Sequence, residues 1–296
     1  MRVIFLGCGY LGYNLSRLLA DDFAVEMWGI DSPYVSRQDN FHYVNVFDKA
    51  AMAAMDMRDA VVIDTVALVA NNARDDDEEA ALQRLREQYD NLLAALKAGS
   101  IRLFVFFSSG GTVYGDIARP AEETDPLSPQ TLYARSKVLE EEMIRATGIP
   151  YLILRVANPY GGYQIAGKRQ GVIPVLIRKA LTGETFELWN SEESQRDYIY
   201  IDDLATAIRL LLQNSVTNET VNISAGSGTS LKQLMDTVEQ ETGKKLEVVR
   251  MASDVPVVQD NVLNIAKLKR LTGFAAAVSI AEGIRRETER IREELK

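Results

Sequence analysis

Tyr133 and Lys137 stand four residues apart in TLYARSKVLEEEMIRAT (131–147), a stretch whose apolar spacing is that of a helix. Residues at i and i+4 share one helix face. A free phenol ionises near ~10, too high for a base at neutral pH, and an ammonium beside it favours the phenolate. The pair therefore suits proton transfer by a tyrosine. Upstream, FFSSGGTVYG (106–115) follows an apolar run and offers the hydroxyls of Ser108, Ser109 and Thr112. Ligands of open α/β sheets bind at this edge, outside the carboxyl ends of the strands.

A second constellation lies at the start of the chain. Gly7-Cys8-Gly9-Tyr10-Leu11-Gly12 is a G-x-G-x-x-G between an apolar run and a helical pattern. Gly7 allows the tight turn, Gly9 lets the backbone approach a pyrophosphate at the helix N-terminus, and Gly12 lets helix and strand pack closely. Asp31 follows 19 residues after Gly12. A carboxylate there accepts both adenosine ribose hydroxyls and repels a 2′-phosphate, which favours NAD over NADP. A nicotinamide cation would join Lys137 in favouring the Tyr133 phenolate.

These groups need a scaffold, and the hydrophobic pattern supplies one. RVIFL (2–6), AVEMWGI (24–30), FHYVNV (41–46), AVVIDTV (60–66), RLFVFF (102–107) and PYLILRV (150–156) read as strands. Helical patterns at 10–20, 80–98 and 131–147 alternate with them. Continuous apolar strands separated by helices require a parallel sheet covered on both faces, a doubly wound α/β domain. Beyond residue 158 the rhythm loosens: NPYGGYQIAGKRQG (158–171) reads as an excursion from the sheet. Helices are expected at 202–213 and 230–243, with Asp202 and Ser230 as N-caps, and at 279–296. The acidic run from Asp75 to Glu79 reads as a solvated lead into the next helix. No internal repeat is present.

Composition excludes other classes. With 33 basic and 42 acidic side chains the formal charge is −9, unsuited to a nucleic-acid or anionic-membrane surface. The single cysteine, Cys8, can form no intrachain disulfide, and one histidine, His42, supports no His-rich metal site. The N-terminal apolar run is too short for a signal-peptide core, and no stretch approaches a membrane span. A soluble, cytoplasmic protein is expected.

GCGYLG, SSGGTVYG, YARSK, NPYG and RDYIYIDDLA occur in the order and spacing of extended short-chain dehydrogenase/reductases. Within them the chain resembles the nucleotide-sugar group that contains UDP-glucose 4-epimerases and related dehydratases and reductases. The resemblance implies an NAD-binding Rossmann domain over 1–158, with 194–226 returning to it, and a nucleotide-sugar lobe over 159–193 and 227–296. It implies Tyr133 as acid/base on a sugar hydroxyl and Lys137 on the nicotinamide ribose. Asn45 and Val46 would contact adenine, Val66 and Ala67 the nicotinamide side, and Ser108 is also expected at the cofactor. Asn158 and Arg196 would meet the substrate diphosphate, while Gly171, Val172 and Ile173 cover its base. Helices 80–98 and 131–147 would pair across a two-fold axis, giving a homodimer.

The departures are specific. Gly110 stands where the family usually carries the triad hydroxyl, leaving Ser109 or Thr112 to supply it. Leu85 replaces a usual asparagine. Met251 stands where an arginine is expected before Asp254, leaving Arg250, one place off, as the expected substrate contact; Val258 falls near a tyrosine of some epimerases. The favoured reading is an epimerase acting through a 4-keto sugar, with hydride passed to and from NAD. A 4-ketoreductase or dehydratase, and an NAD(H)-binding sensor or scaffold without chemistry, fit the same residues.

Overall fold

The computed structural model describes residues 1–30, 32–34, 40–71, 77–165, 171–189, 191–251 and 260–296. Side-chain alternation along the first strand, β1 (Arg2–Leu6), divides the core. Val3 and Phe5 enter one hydrophobic cluster and Ile4 and Leu6 the other, all fully buried. A strand apolar on both faces must be covered on both, and each such side chain contributes about 1.5–3 kcal/mol on burial. β2 (Ala24–Gly29), β3 (Phe41–Tyr43), β4 (Val61–Asp64), β5 (Leu103–Ser109), β6 (Tyr151–Val156) and β10 (Glu219–Ile223) complete a parallel sheet. Its order is β10-β6-β5-β4-β1-β2-β3. The order reverses between β1 and β4, which opens a crevice at the carboxyl edge.

One face carries α2 (Lys49–Ala53), α3 (Glu78–Ala98) and α4 (Leu132–Ala146); Leu85, Tyr89, Leu92, Leu93 and Leu96 form the buried stripe of α3. The other carries α1 (Tyr10–Leu18) and α6 (Ile201–Gln213), whereas α5 (Val172–Thr182) packs on helices of the later chain. The later chain adds β7 (Asn158–Tyr160), β9 (Gln195–Tyr200) and β11 (Gly228–Ser230), which form a second sheet. A two-stranded pair joins β8 (Phe186–Leu188) to β12 (Val248–Arg250). α7 (Leu231–Thr242), α8 (Ala266–Thr272) and α9 (Ile280–Glu294) complete the chain.

The structure corrects several expected boundaries. β3 ends at Tyr43 rather than 46, because after Val44 the chain turns on Asn45, whose side chain accepts from the Phe47 N–H at 3.1 Å. β5 runs on to Ser109, its ladder continuing to the Ser109–Val156 register, so the serines are strand residues. Asp202 is not the cap of α6: Tyr200 occupies that position, and Asp202 faces Arg286 at 3.3 Å. Ser230 does cap α7, in a reciprocal capping box with Gln233. Of the acidic run, Asp77 caps α3 through the Ala80 N–H; residues 75 and 76 lie outside the described residues.

Candidate active site

The glycine loop sits at the carboxyl end of β1, where Gly7 takes φ +95°. A Cβ on Gly12 would lie 2.1 Å from the Gly7 carbonyl oxygen, so only glycine lets α1 start this close to the strand. Gly9 is the N-cap of α1, makes no side-chain cap bond, and has nothing within 4 Å of where its Cβ would be. Open backbone N–H groups at a helix N-terminus form a cradle for a diphosphate. Gly7, Gly9, Tyr10 and Leu11 line a groove of about 550 Å³ together with Asn45, Val46, Val66 and Ala67. These residues fit a dinucleotide. Asp31, assigned to the adenosine ribose, lies outside the described residues. The Tyr10 hydroxyl donates to the Gly161 carbonyl at 2.6 Å and ties the loop to the chain after β7.

At the carboxyl end of β5 the neighbouring serines point opposite ways, as strand residues must. Ser108 is buried and donates to Glu141 Oε1 at 2.6 Å, which removes its side chain from the cofactor role assigned to it. Glu141 is held by Arg155 Nε at 3.0 Å and Nη2 at 2.8 Å, and Arg155 also donates to the Tyr114 hydroxyl at 2.9 Å. Burial works against the Glu141 carboxylate, but the bidentate arginine reverses it and holds the group below its ordinary range. The network fixes β5, β6 and α4 beneath the site.

Ser109 is half-buried, and its carbonyl accepts from the Thr112 and Val113 N–H groups, forming the turn that carries Thr112. Among the described residues the buried Thr112 hydroxyl has no hydrogen-bond partner. Gly110 cannot carry a side chain here: a Cβ would lie 2.6 Å from Leu263 Cδ1 and 2.8 Å from the Arg155 carbonyl oxygen. Asn261 Nδ2 donates to the Gly110 carbonyl at 3.2 Å and fastens the turn from the far end of the chain.

The α4 face presents Tyr133, half-buried, and Lys137, almost wholly buried. Lys137 Nζ lies 6.0 Å from the Tyr133 ring centroid and 4.5 Å from that of Phe106. It also pairs with Glu140 Oε2 at 3.0 Å. Burial alone would lower the Lys137 ammonium; Glu140, with Tyr133 and Asp64, more than offsets it and holds the lysine protonated. Asp64, at the end of β4, accepts from the Val66 N–H and the Tyr89 hydroxyl, each at 2.9 Å. The carboxylates of Asp64 and Glu140 were missed in the sequence. Glu140 is three residues from Lys137, a spacing that signals contact; Asp64 inside AVVIDTV is an acid in an apolar run.

A second cavity, of about 240 Å³, lies at the same edge and is lined by Asn158, Gly171, Val172, Ile173, Arg196 and Tyr198, among others. Residues expected to hold the substrate thus come together there. Asn158 Nδ2 donates to the Asp197 carbonyl at 2.7 Å, which fixes its amide. Arg250 is not among them: it is exposed on β12 and pairs with Glu192. Asp254 and Val258 lie outside the described residues.

A dinucleotide cradle, a Tyr-Lys helix face and a polar cavity along one sheet edge define an oxidoreductase-type α/β enzyme. A model of the NAD dependent epimerase/dehydratase family matches residues 5–224, and the chain belongs to that family. It is an enzyme whose cofactor is NAD. The chain is 35% identical to the dTDP-4-dehydro-6-deoxyglucose reductase of Escherichia coli over 185 residues, 61% of this chain and 58% of that protein. Among solved structures it is similar to the UDP-glucose 4-epimerase of Thermotoga maritima with UDP-glucose (25% identity, TM-score 0.88, 100% of both chains). It is also similar to the UDP-glucose 4-epimerase of Thermus thermophilus in complex with NAD (26% identity, TM-score 0.87, 99% of both chains). Among the described residues no helix is long and apolar enough to cross a membrane.

Proposed function

We propose that the protein is a nucleotide-sugar 4-epimerase that works through a 4-keto sugar. The observation that carries this reading is the placement of Tyr133 and Lys137 on one face of α4, with the Thr112 hydroxyl, unpartnered among the described residues, in the turn after β5. NAD, when bound in the glycine-loop groove, supplies a site that takes up a hydride and gives it back. Tyr133 accepts the proton of the sugar C4 hydroxyl and later returns one, while Lys137 holds the nicotinamide ribose and favours the phenolate. Thr112 takes the part of the hydroxyl missing at Gly110, donating to the oxygen on which charge develops. Ser109, the other candidate for that part, contributes its carbonyl to the turn. Arg196 and Asn158 receive the substrate diphosphate, and Gly171 and Val172 the base.

On this reading 1–158, with 194–226, form the NAD lobe, and 159–193 with 227–296 the sugar-nucleotide lobe. A groove of about 500 Å³ between α3 and α4, lined by Leu93, Ala94, Leu139 and Met143 among others, is the face on which a cytoplasmic homodimer would form. The reductase reading draws support from the Escherichia coli relative; the end-to-end likeness to the two epimerase structures favours epimerisation.

Turnover of UDP-sugars with no added reductant tests the assignment. Tyr133→Phe is expected to keep NAD affinity and lower kcat by about 10²–10⁴-fold. Thr112→Val is expected to lower kcat at least tenfold with an unchanged melting temperature, since among the described residues its hydroxyl has no partner to lose. Stoichiometric consumption of NAD(P)H would assign a reductase instead.

A further inference from the structure

The ion pair between Lys137 and Glu140 lies within α4, away from the exposed surface. Both side chains are at most 4% exposed. The groups facing it come from three elements: Tyr133 and Glu141 on α4, Asp64 on β4, and Tyr89 on α3. Phe106 of β5 closes one side under the ammonium. Glu140 lines neither the glycine-loop groove nor the polar cavity, and its ion-pair partner is Lys137.

We propose that Glu140 is a positioning residue that sets the charge felt at the nicotinamide end of the NAD site, and so the balance between oxidised and reduced cofactor. The inference rests on the assignment of Lys137 to the nicotinamide ribose under Proposed function. Lys137 alone places a positive charge there, which disfavours the cationic oxidised ring against the neutral reduced one. An ionised Glu140 cancels that charge; a protonated Glu140 leaves it standing. Burial pushes the Glu140 carboxyl up to about 7 against the opposing pull of Lys137. The cancellation is therefore switched on as pH rises through neutrality.

The test is fluorescence titration of the cofactor-free protein with NAD+ and with NADH at pH 6 and pH 8. The ratio Kd(NAD+)/Kd(NADH) is expected to fall as pH rises from 6 to 8. In Glu140→Gln it is expected to stay at the higher value at both pH values, about three- to tenfold above the unsubstituted protein at pH 8, as for one unit charge removed from a partly screened site. A ratio that is flat with pH in the unsubstituted protein overturns the proposal, and that measurement requires no variant. Equal weakening of both cofactor forms in the variant also overturns it, since that is the effect of lost packing. Failure of the epimerase assignment reads differently, as absent sugar-nucleotide turnover with the ratio still shifting.

Discussion

Leu263 occupies the space that a side chain on Gly110 would need, its Cδ1 lying 2.6 Å from the position of that Cβ. The glycine at the usual triad position is therefore built into the packing. Placing a hydroxyl side chain there is expected to injure this protein. Gly110→Ser should lower stability by about 1–3 kcal/mol, as overpacking does, without raising turnover. Adding Leu263→Ala should recover part of the loss, though the Arg155 carbonyl still crowds the site. Thermal unfolding of the single and double variants checks both, and a fully stable, faster Gly110→Ser protein would refute the packing argument.

The Arg155–Glu141 pair is buried on both sides, whereas Arg145, which also reaches Glu141 at 2.8 Å, is partly exposed. Glu141→Gln leaves a buried guanidinium uncompensated and is expected to cost about 3–5 kcal/mol. Arg145→Ala removes a screened partner and is expected to cost about 0–1 kcal/mol. Denaturant midpoints for the two variants should separate accordingly; similar losses would show that Arg155 does not carry the network.

Burial raises several carboxyls, among them Asp197 to about 6 and Glu140 to about 7. In the unfolded chain such groups ionise near ~4, so the folded state holds more protons between about pH 4 and 7. The stability they contribute is full below the unfolded value and is lost as pH rises through the folded values. The melting temperature should therefore be higher at pH 5 than at pH 8, and Glu140→Gln should flatten the upper part of that slope. A melting temperature that climbs from pH 5 to pH 8 would contradict the assignment.

The sheet was legible in the sequence because its strands are apolar on both faces, and the glycine loop because its spacing is set by one turn and one helix start. Tyr133 and Lys137 were legible for the same reason: a helix fixes their relation locally. Ser108 was misread because adjacent strand residues face opposite sides, and nothing local says which faces the crevice. Arg250 was misread because the β8–β12 register decides its direction. Asn261 could not be found at all, since its contact with Gly110 spans 151 residues.

That last contact bears on synthesis. The glycine-loop groove is lined by residues between 7 and 67, which leave the ribosome ahead of the rest of the site. The turn that carries Thr112 is held by Asn261 and walled by Leu263, which emerge some 150 residues later. A nascent chain can thus gain its cofactor cradle well before its chemistry. Competence for the reaction waits on Asn261 and Leu263.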